Sequence, residues 1–168
     1  AELTDVFDSL WEGEARVAIL TGAGTRVFCA GANVKAQLAG KRRNDHGRTA
    51  RECLNSIYEC AIPVIGAING AALGGGLALA ASCDYLIASE NATFGLPEID
   101  VGLLGGARHL ARLFPQNYVR KMHFTAVRPS AQEAYRLHAV TKVVPPEKLM
   151  EEATTEARII AEKMPMGV

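Results

Sequence analysis

Three short apolar runs, separated by segments of helical pattern, place the strongest constraint on the fold of this chain. The runs are residues 16–21 (RVAILT), 62–69 (IPVIGAIN) and 85–88 (YLIA), and each is rich in branched aliphatic side chains. Uninterrupted apolar runs of this length are typical of strands that are buried on both faces of a parallel sheet. Between the first two, the apolar residues of 50–61 recur at helical spacing. The alternation predicts an α/β fold in which helices connect parallel strands.

The second half of the chain is predicted to be mainly helical. Ser130 and Glu133 have the spacing of a capping box, in which each side chain bonds the other residue's free amide at a helix N-terminus. After Pro145 and Pro146, apolar residues form one stripe along a helix predicted over 147–163. Such a stripe needs a partner surface, which either this domain or another subunit supplies.

Charge and composition argue against several classes of function. The 18 Lys and Arg residues balance the 18 Asp and Glu residues, so the formal net charge is zero. A neutral chain is a poor candidate for binding nucleic acid or an anionic membrane surface. No apolar stretch reaches the ~18 residues of a membrane-spanning helix. The four cysteines and four histidines lack the spacing of zinc ligands, so we expect no metal site and reduced, buried thiols.

Two glycine-bearing segments that follow predicted strands are candidate binding turns. They are residues 28–33 (FCAGAN) and 69–77 (NGAALGGGL). A run of glycines at a helix start leaves backbone amides uncovered, and the helix dipole adds partial positive charge there. Such a turn can hold an oxyanion. The alternative is that these glycines only allow a helix and a strand to pack closely.

A third segment, residues 94–99 (FGLPEI), places Glu98 between Pro97 and Ile99. Apolar surroundings disfavour the charged form of a carboxylate and suit it to moving protons. The alternative is a carboxylate that interacts with the dipole at a helix start.

Better-known nucleotide and hydrolase motifs are absent. Residues 21–27 (TGAGTRV) resemble a dinucleotide-binding fingerprint, but its third glycine is replaced by Val27, so we predict a tight turn. The sequence also contains neither a phosphate-binding G-x-x-x-x-G-K-[ST] loop nor a G-x-S-x-G nucleophile elbow.

Taken in order, the three segments resemble the crotonase (enoyl-CoA hydratase/isomerase) superfamily, and the resemblance extends over nearly the whole chain. It implies an α/β spiral of ββα units followed by helices that pack between subunits, commonly in trimers paired into hexamers. The spiral core would occupy residues 1–115 and the helical oligomerisation region residues 116–168. Relatives carry further strands and helices at the ends, so we expect a chain truncated at both ends. The motifs are VAILTGAG, FCAGAN, IPVIGAINGAALGGGLALAASCDYLIAS, ATFGLPEIDVGLL and KVVPPEKLMEEATTEARIIAEKMP.

The resemblance also implies an acyl-CoA enzyme that stabilises a thioester enolate. The amides of Ala32 and Gly75 would hold the thioester oxygen, and Glu98 would be the acid/base group. Residues implied to contact CoA are Ala30, Ala32, Val34, Lys35 and Gly74, with Lys35 near the phosphates. No cofactor beyond the CoA moiety of the substrate is implied. Neither a nucleic-acid nor a membrane partner is expected, and the expected location is the cytoplasm or an organelle matrix.

At one position the chain departs from the hydratases of this family. They carry a second glutamate two residues after the glycine run, where this sequence has Ala78. Adding water to a double bond is served by two carboxylates, whereas one can carry a double-bond shift. The presence of Glu98 without the second glutamate therefore favours the interpretation that the chain is a Δ3,Δ2-enoyl-CoA isomerase. The alternatives are an enoyl-CoA hydratase and, further off, a CoA-ester hydrolase or decarboxylase or an inactive CoA-binding homologue.

The segment after Gly102 is shorter than the family pattern, which leaves the size of the acyl group open. His109 stands close to this shortened loop and is a candidate pocket residue. Asp100 is a candidate substitute carboxylate, and its alternative role is a solvated or capping carboxylate.

Overall fold

The strands of the protein form two parallel sheets in a computed structural model that describes residues 2–31, 46–103 and 106–164. Successive strands alternate between the two sheets. In spatial order, the first sheet contains β1 (Ala18–Thr21), β3 (Val64–Ile68), β5 (Tyr85–Ser89) and β7 (Lys142–Val144), and the second contains β2 (Val27–Cys29), β4 (Ala71–Leu73) and β6 (Thr93–Gly95).

Helices follow the strand pairs, so that the chain advances as a spiral of ββα units. The described α-helices are α1 (Glu2–Ser9), α2 (His46–Tyr58), α3 (Gly75–Ala80), α4 (Ala107–Leu110), α5 (Gln116–Thr125), α6 (Ala131–Arg136) and α7 (Leu149–Ala161). In the described part of the chain, three 3-10 helices cover Leu10–Glu12, Pro97–Val101 and Pro146–Lys148. Helix α2 follows β1 and β2, and α3 follows β3 and β4, which confirms the expected α/β spiral.

Strand β3 separates two hydrophobic cores. Val64 and Ile68 face the larger core, whereas Ile65 and Ala67 face a smaller core that α7 closes. All five residues of β3 are buried. A strand that is buried on both faces has no polar positions, and this explains its uninterrupted apolar sequence.

The turn between β1 and β2 is held by the side chain of Asn69, which directly follows β3. The carboxamide of Asn69 accepts a hydrogen bond from the Gly22 amide at 3.2 Å. It donates to the carbonyls of Gly22 at 2.9 Å and Gly24 at 2.8 Å. Residues 21–27 therefore form a tight turn, as predicted, and the turn leads the chain from the first sheet into the second.

One feature of the fold is not predicted by the sequence pattern, and one sequence prediction is wrong. The strands of the second sheet have only three residues each, which is too short to show a hydrophobic period. At the start of α6, Ser130 accepts a hydrogen bond from the Glu133 amide at 3.3 Å. The carboxylate of Glu133 pairs with Arg136 instead of returning to Ser130, so the cap is one-sided and the predicted reciprocal box is wrong.

Candidate active site

The glycine run forms the turn from β4 into α3. Gly74 adopts a left-handed φ of 55°, and its amide donates to the carbonyl of Gly95 at 2.9 Å. The Ala78 amide donates to the carbonyl of Gly74 at 3.1 Å and completes the first turn of α3. Gly75 is exposed, whereas Gly74 and Gly76 on either side are buried. The Gly75 amide makes no hydrogen bond to another described residue, so it is a free donor at a helix N-terminus.

The turn that follows β2 packs directly against this glycine run. A Cβ atom on Gly31, which has a φ of 83°, would lie 2.8 Å from the Gly75 nitrogen. A Cβ atom on Gly76 would lie 1.9 Å from the Cys29 carbonyl oxygen. Close packing therefore requires both glycines, and the same packing brings the two candidate binding turns together.

Several of the residues predicted to contact the thioester and CoA belong to the sequence that begins directly after β2. Ala30 is exposed beside Gly31. Ala32, Val34 and Lys35 lie outside the described residues, so their roles stay predictions.

Glu98 lies on the 3-10 helix Pro97–Val101 and faces the glycine run. A Cβ atom on Gly74 would lie 2.7 Å from Glu98 Oε1, so the carboxylate occupies the space that a side chain at Gly74 would take. The other oxygen, Oε2, is buried and has no hydrogen-bond partner among the described residues. The Leu103 amide donates to the Glu98 carbonyl at 2.9 Å and fixes the local backbone. Unsatisfied buried polar atoms are rare and are often explained by a catalytic role or a missing ligand.

His109 on α4 carries a second such atom. Its Nδ1 is buried and has no hydrogen-bond partner within the described part of the chain. A Cβ atom on Gly106 would lie 3.7 Å from the Ala78 Cβ and 3.8 Å from the His109 Cδ2, so the imidazole lies near Ala78. Burial lowers the pKa of His109, and the positive charges of Arg112 and Arg108 lower it further.

Asp100, the candidate substitute carboxylate, is exposed two residues beyond Glu98 on the same 3-10 helix. It does not share the burial of the Glu98 carboxylate oxygen. Its proposed role stays a prediction.

A cleft of about 630 Å³ lies between α1 and α2. Its lining includes Phe7, Trp11, Glu52 and Cys60. None of the predicted site residues lines it, so this cleft is separate from the site around Glu98.

The cysteines and the other metal-ligating residue types form no further site in the described ranges. All four cysteines are free, with Cys83 buried and the other three half-buried. Burial, and then the charge of Asp84, raise the pKa of the Cys83 thiol to about 12. Across 2–31, 46–103 and 106–164, no three His, Cys, Asp or Glu side chains cluster as metal ligands. Helices in these ranges are all too short or too polar to cross a membrane.

Relatives of the chain are named as enzymes that act on CoA thioesters. One is the (7aS)-7a-methyl-1,5-dioxo-2,3,5,6,7,7a-hexahydro-1H-indene-carboxyl-CoA hydrolase of Rhodococcus jostii, which is 40% identical over 96% of this chain and 64% of its own length. Another is the carnitinyl-CoA dehydratase of Proteus mirabilis, which is 41% identical over 91% of this chain and 60% of its own length. The chain thus spans less than two thirds of the length of these relatives.

Solved structures share the fold. An enoyl-CoA hydratase from Bacillus anthracis superposes with a TM-score of 0.89 at 37% identity, and the match covers 98% of this chain and 66% of that one. The family described as enoyl-CoA hydratase/isomerase matches residues 1–168. The chain therefore belongs to the enoyl-CoA hydratase/isomerase family.

Proposed function

We propose that this chain carries out proton transfer next to the carbonyl of an acyl-CoA thioester, with Glu98 as the acid/base group. One observation carries the proposal. The Glu98 carboxylate lies against Gly74, beside the free amide of Gly75, and its buried Oε2 has no partner among the described residues. A proton acceptor thus adjoins a hydrogen-bond donor suited to the oxyanion that proton removal creates.

The proposed step follows from these two groups. Glu98 removes a proton from the α-carbon, and the electron pair of that C–H bond moves into the thioester, which becomes an enolate. The Gly75 amide donates to the enolate oxygen, and the amide of Ala32 is the proposed second donor. Removing one preorganised donor of this kind costs roughly 3 kcal/mol of transition-state stabilisation.

The sequence resemblance supports the proposed contacts with the remaining parts of the substrate. We assign contacts with the CoA moiety to Ala30 and Gly74 at the two packed turns, and to Ala32, Val34 and Lys35 in the segment that follows. The substrate is the only source of CoA, so no separate cofactor enters the proposal. A homotrimer, or a hexamer of paired trimers, is the proposed assembly.

Two overall reactions are compatible with enolate formation at Glu98. Isomerisation of a double bond is the reaction that this one carboxylate can carry unaided, because it removes a proton at one carbon and returns it at another. Reversible addition of water is the second candidate, and the position of His109 near Ala78 favours it by supplying another ionisable group. The similarity to a carnitinyl-CoA dehydratase supports this second candidate.

Product analysis separates these reactions. The protein is incubated with a trans-2-enoyl-CoA and, separately, with a 3-enoyl-CoA, and the products are weighed by mass spectrometry. Isomerisation converts the 3-enoyl ester without a change of mass, and it is detected by the ultraviolet absorbance of the conjugated 2-enoyl thioester that forms. Hydration makes the 2-enoyl ester heavier by one water, and hydrolysis releases free CoA. An absence of any product from either ester would contradict the proposed function.

Replacing Glu98 with Gln tests the assignment of the acid/base group. Gln keeps the size of the side chain but cannot carry the proton, so we expect turnover to fall about 100-fold or more. Binding of a saturated acyl-CoA, followed by calorimetry, is expected to persist. Asp100→Asn is the matched control, because it removes the exposed carboxylate two residues away and is expected to keep its activity. Turnover at the wild-type rate in Glu98→Gln would show that Glu98 is not the acid/base group.

A further inference from the structure

Two buried side-chain atoms lack a hydrogen-bond partner among the described residues, and each belongs to a side chain that borders a glycine next to helix α3. They are Glu98 Oε2 and His109 Nδ1. Glu98 contacts the space over Gly74, and His109 lies near Ala78. The amide of Ala78 donates to the carbonyl of Gly74, so the two ionisable side chains approach positions one helical turn apart.

Helix α3 itself contributes no proton-transfer group to this face. Its six residues are Gly, Leu and Ala only. Ala78 is 3% exposed, and its methyl group and the His109 Cδ2 atom both lie on the side of Gly106 where a Cβ atom would stand. A Cβ atom on Gly106 would make ordinary van der Waals contact with both groups, so Ala78 and His109 border the same glycine.

No described residue makes a hydrogen bond to the ring nitrogen Nδ1 of His109. Only the backbone of this residue is held. The His109 amide donates to the Gly106 carbonyl at 2.9 Å, which fixes the start of α4. A buried side-chain nitrogen normally has a partner in the protein or in ordered water, so the unpartnered Nδ1 of His109 is suited to bind a water molecule or a ligand. Burial, Arg112 and Arg108 together lower the pKa of this imidazole, so its neutral form, which can accept a proton, is favoured near pH 7.

We propose that His109 is a second catalytic residue, which moves the proton of a water molecule at the β-carbon while Glu98 moves the proton at the α-carbon. The inference rests on the proposed enolate chemistry of Glu98 and selects water addition and elimination over double-bond isomerisation.

In the proposed hydration step, every proton and electron pair is accounted for. An imidazole nitrogen of neutral His109 takes a proton from water as the water oxygen bonds to the β-carbon. The electron pair of the double bond moves to give the enolate, and protonated Glu98 then donates its proton to the α-carbon. The imidazolium and the carboxylate that remain exchange one proton through solvent, which restores both groups. Elimination is the same sequence in reverse.

The test measures two reactions of the same protein in D₂O. The first is exchange of the α-proton of a saturated acyl-CoA, which needs Glu98 but no attacking water. The second is hydration of a trans-2-enoyl-CoA. In His109→Gln we expect hydration to fall about 100-fold or more while α-proton exchange stays close to the wild-type rate. The control is His138→Asn, since His138 is exposed and Asn tolerates its left-handed φ of 59°.

A second variant covers the case in which Gln disturbs the fold. His109→Ala leaves space for free imidazole, and imidazole added to the buffer is expected to restore part of the hydration. Hydration at the wild-type rate in both variants would overturn the inference. So would an equal loss of both reactions that imidazole does not restore, because it would indicate a structural role.

Exchange and hydration by the wild-type protein distinguish a failure of the inference from a failure of the proposed function on which it rests. Exchange of the α-proton without hydration would overturn the role of His109 and leave the chemistry of Glu98 intact. Neither exchange nor hydration by the wild-type protein would instead overturn the proposed function, and the inference with it.

Discussion

Gly31 and Gly76 lack side chains because the backbone of the neighbouring turn occupies the space. A Cβ atom on Gly31 would meet the Gly75 nitrogen and the Leu73 carbonyl, and one on Gly76 would meet the Cys29 carbonyl. These contacts involve backbone, which cannot rotate away as the end of a long side chain can. The position of the free Gly75 amide is therefore fixed by the packing of two turns rather than by the short helix alone.

Gly76→Ala is expected to destabilise the protein and the site together. Its new methyl group would lie 1.9 Å from the Cys29 oxygen, so the turn must move, and overpacking of this kind costs about 3 kcal/mol of the free energy of unfolding. Denaturant unfolding measures this loss. The control is Gly24→Ala, at an open position with a φ of 79°, where only the left-handed backbone conformation costs about 1–2 kcal/mol. Equal stability of the two variants would contradict the packing argument.

At the scale of elements, helix α7 is tied to the first sheet through a tyrosine at the sheet surface. Tyr85 on β5 donates a hydrogen bond to Glu156 Oε2 on α7 at 3.4 Å. Burial raises the pKa of Tyr85 to about 12, and the neighbouring Glu156 and Asp84 carboxylates add to this effect. Apolar residues of α7, including Leu149 and Ala153, close the smaller core beneath this contact.

Alkaline pH is expected to weaken this contact. The pKa of Tyr85 is higher in the folded protein than its ordinary value of 10.0, so the folded state keeps the phenol proton longer. The stability that Tyr85 contributes is complete below pH 10.0 and is lost as the pH rises to about 12. In Tyr85→Phe the free energy of unfolding should fall less steeply across this window, as measured by denaturant titration at several pH values. An unchanged slope would contradict the assignment. Glu156→Gln, which keeps the phenol but removes the nearest charge, should give an intermediate slope.

The molecule as a whole is organised around β3, because this strand belongs to both cores. Ile68 packs in the larger core and Ile65 in the smaller one, and both are fully buried. The carboxyl end of β3 also carries Asn69, which holds the turn between the sheets. Loss of packing on either face of β3 should therefore destabilise all of the fold that the structure describes.

Ile65→Ala and Ile68→Ala test this coupling. Each substitution removes buried aliphatic groups, and we expect each to lower the free energy of unfolding by about 2–5 kcal/mol. Native-state hydrogen exchange is then compared between the amides of α7 and those of β3. Both sets should lose protection by a similar amount in both variants. Loss of protection in α7 alone after Ile65→Ala would show that the smaller core unfolds independently.

The sequence predicts the parts of this molecule that depend on local pattern. The buried strand β3, the helical start at the glycine run and the turn held by Asn69 follow from apolar runs and glycine positions. Three-residue strands carry too little pattern to be predicted, and the one-sided cap of α6 depends on Arg136 competing for Glu133. The approach of His109 to Ala78 depends on the packing of α4 against α3, which sequence spacing does not encode. The only sequence signal for His109 is its place beside a shortened loop.

The most direct test of the central claim, that Glu98 moves the α-proton, is the rate at which the protein exchanges that proton with D₂O. A saturated acyl-CoA serves as the probe, and mass spectrometry follows deuterium incorporation in the wild type, in Glu98→Gln and in Asp100→Asn. We predict rapid exchange in the wild type and in Asp100→Asn, and a loss of about 100-fold or more in Glu98→Gln with ester binding retained. Exchange at the wild-type rate in Glu98→Gln would contradict the account.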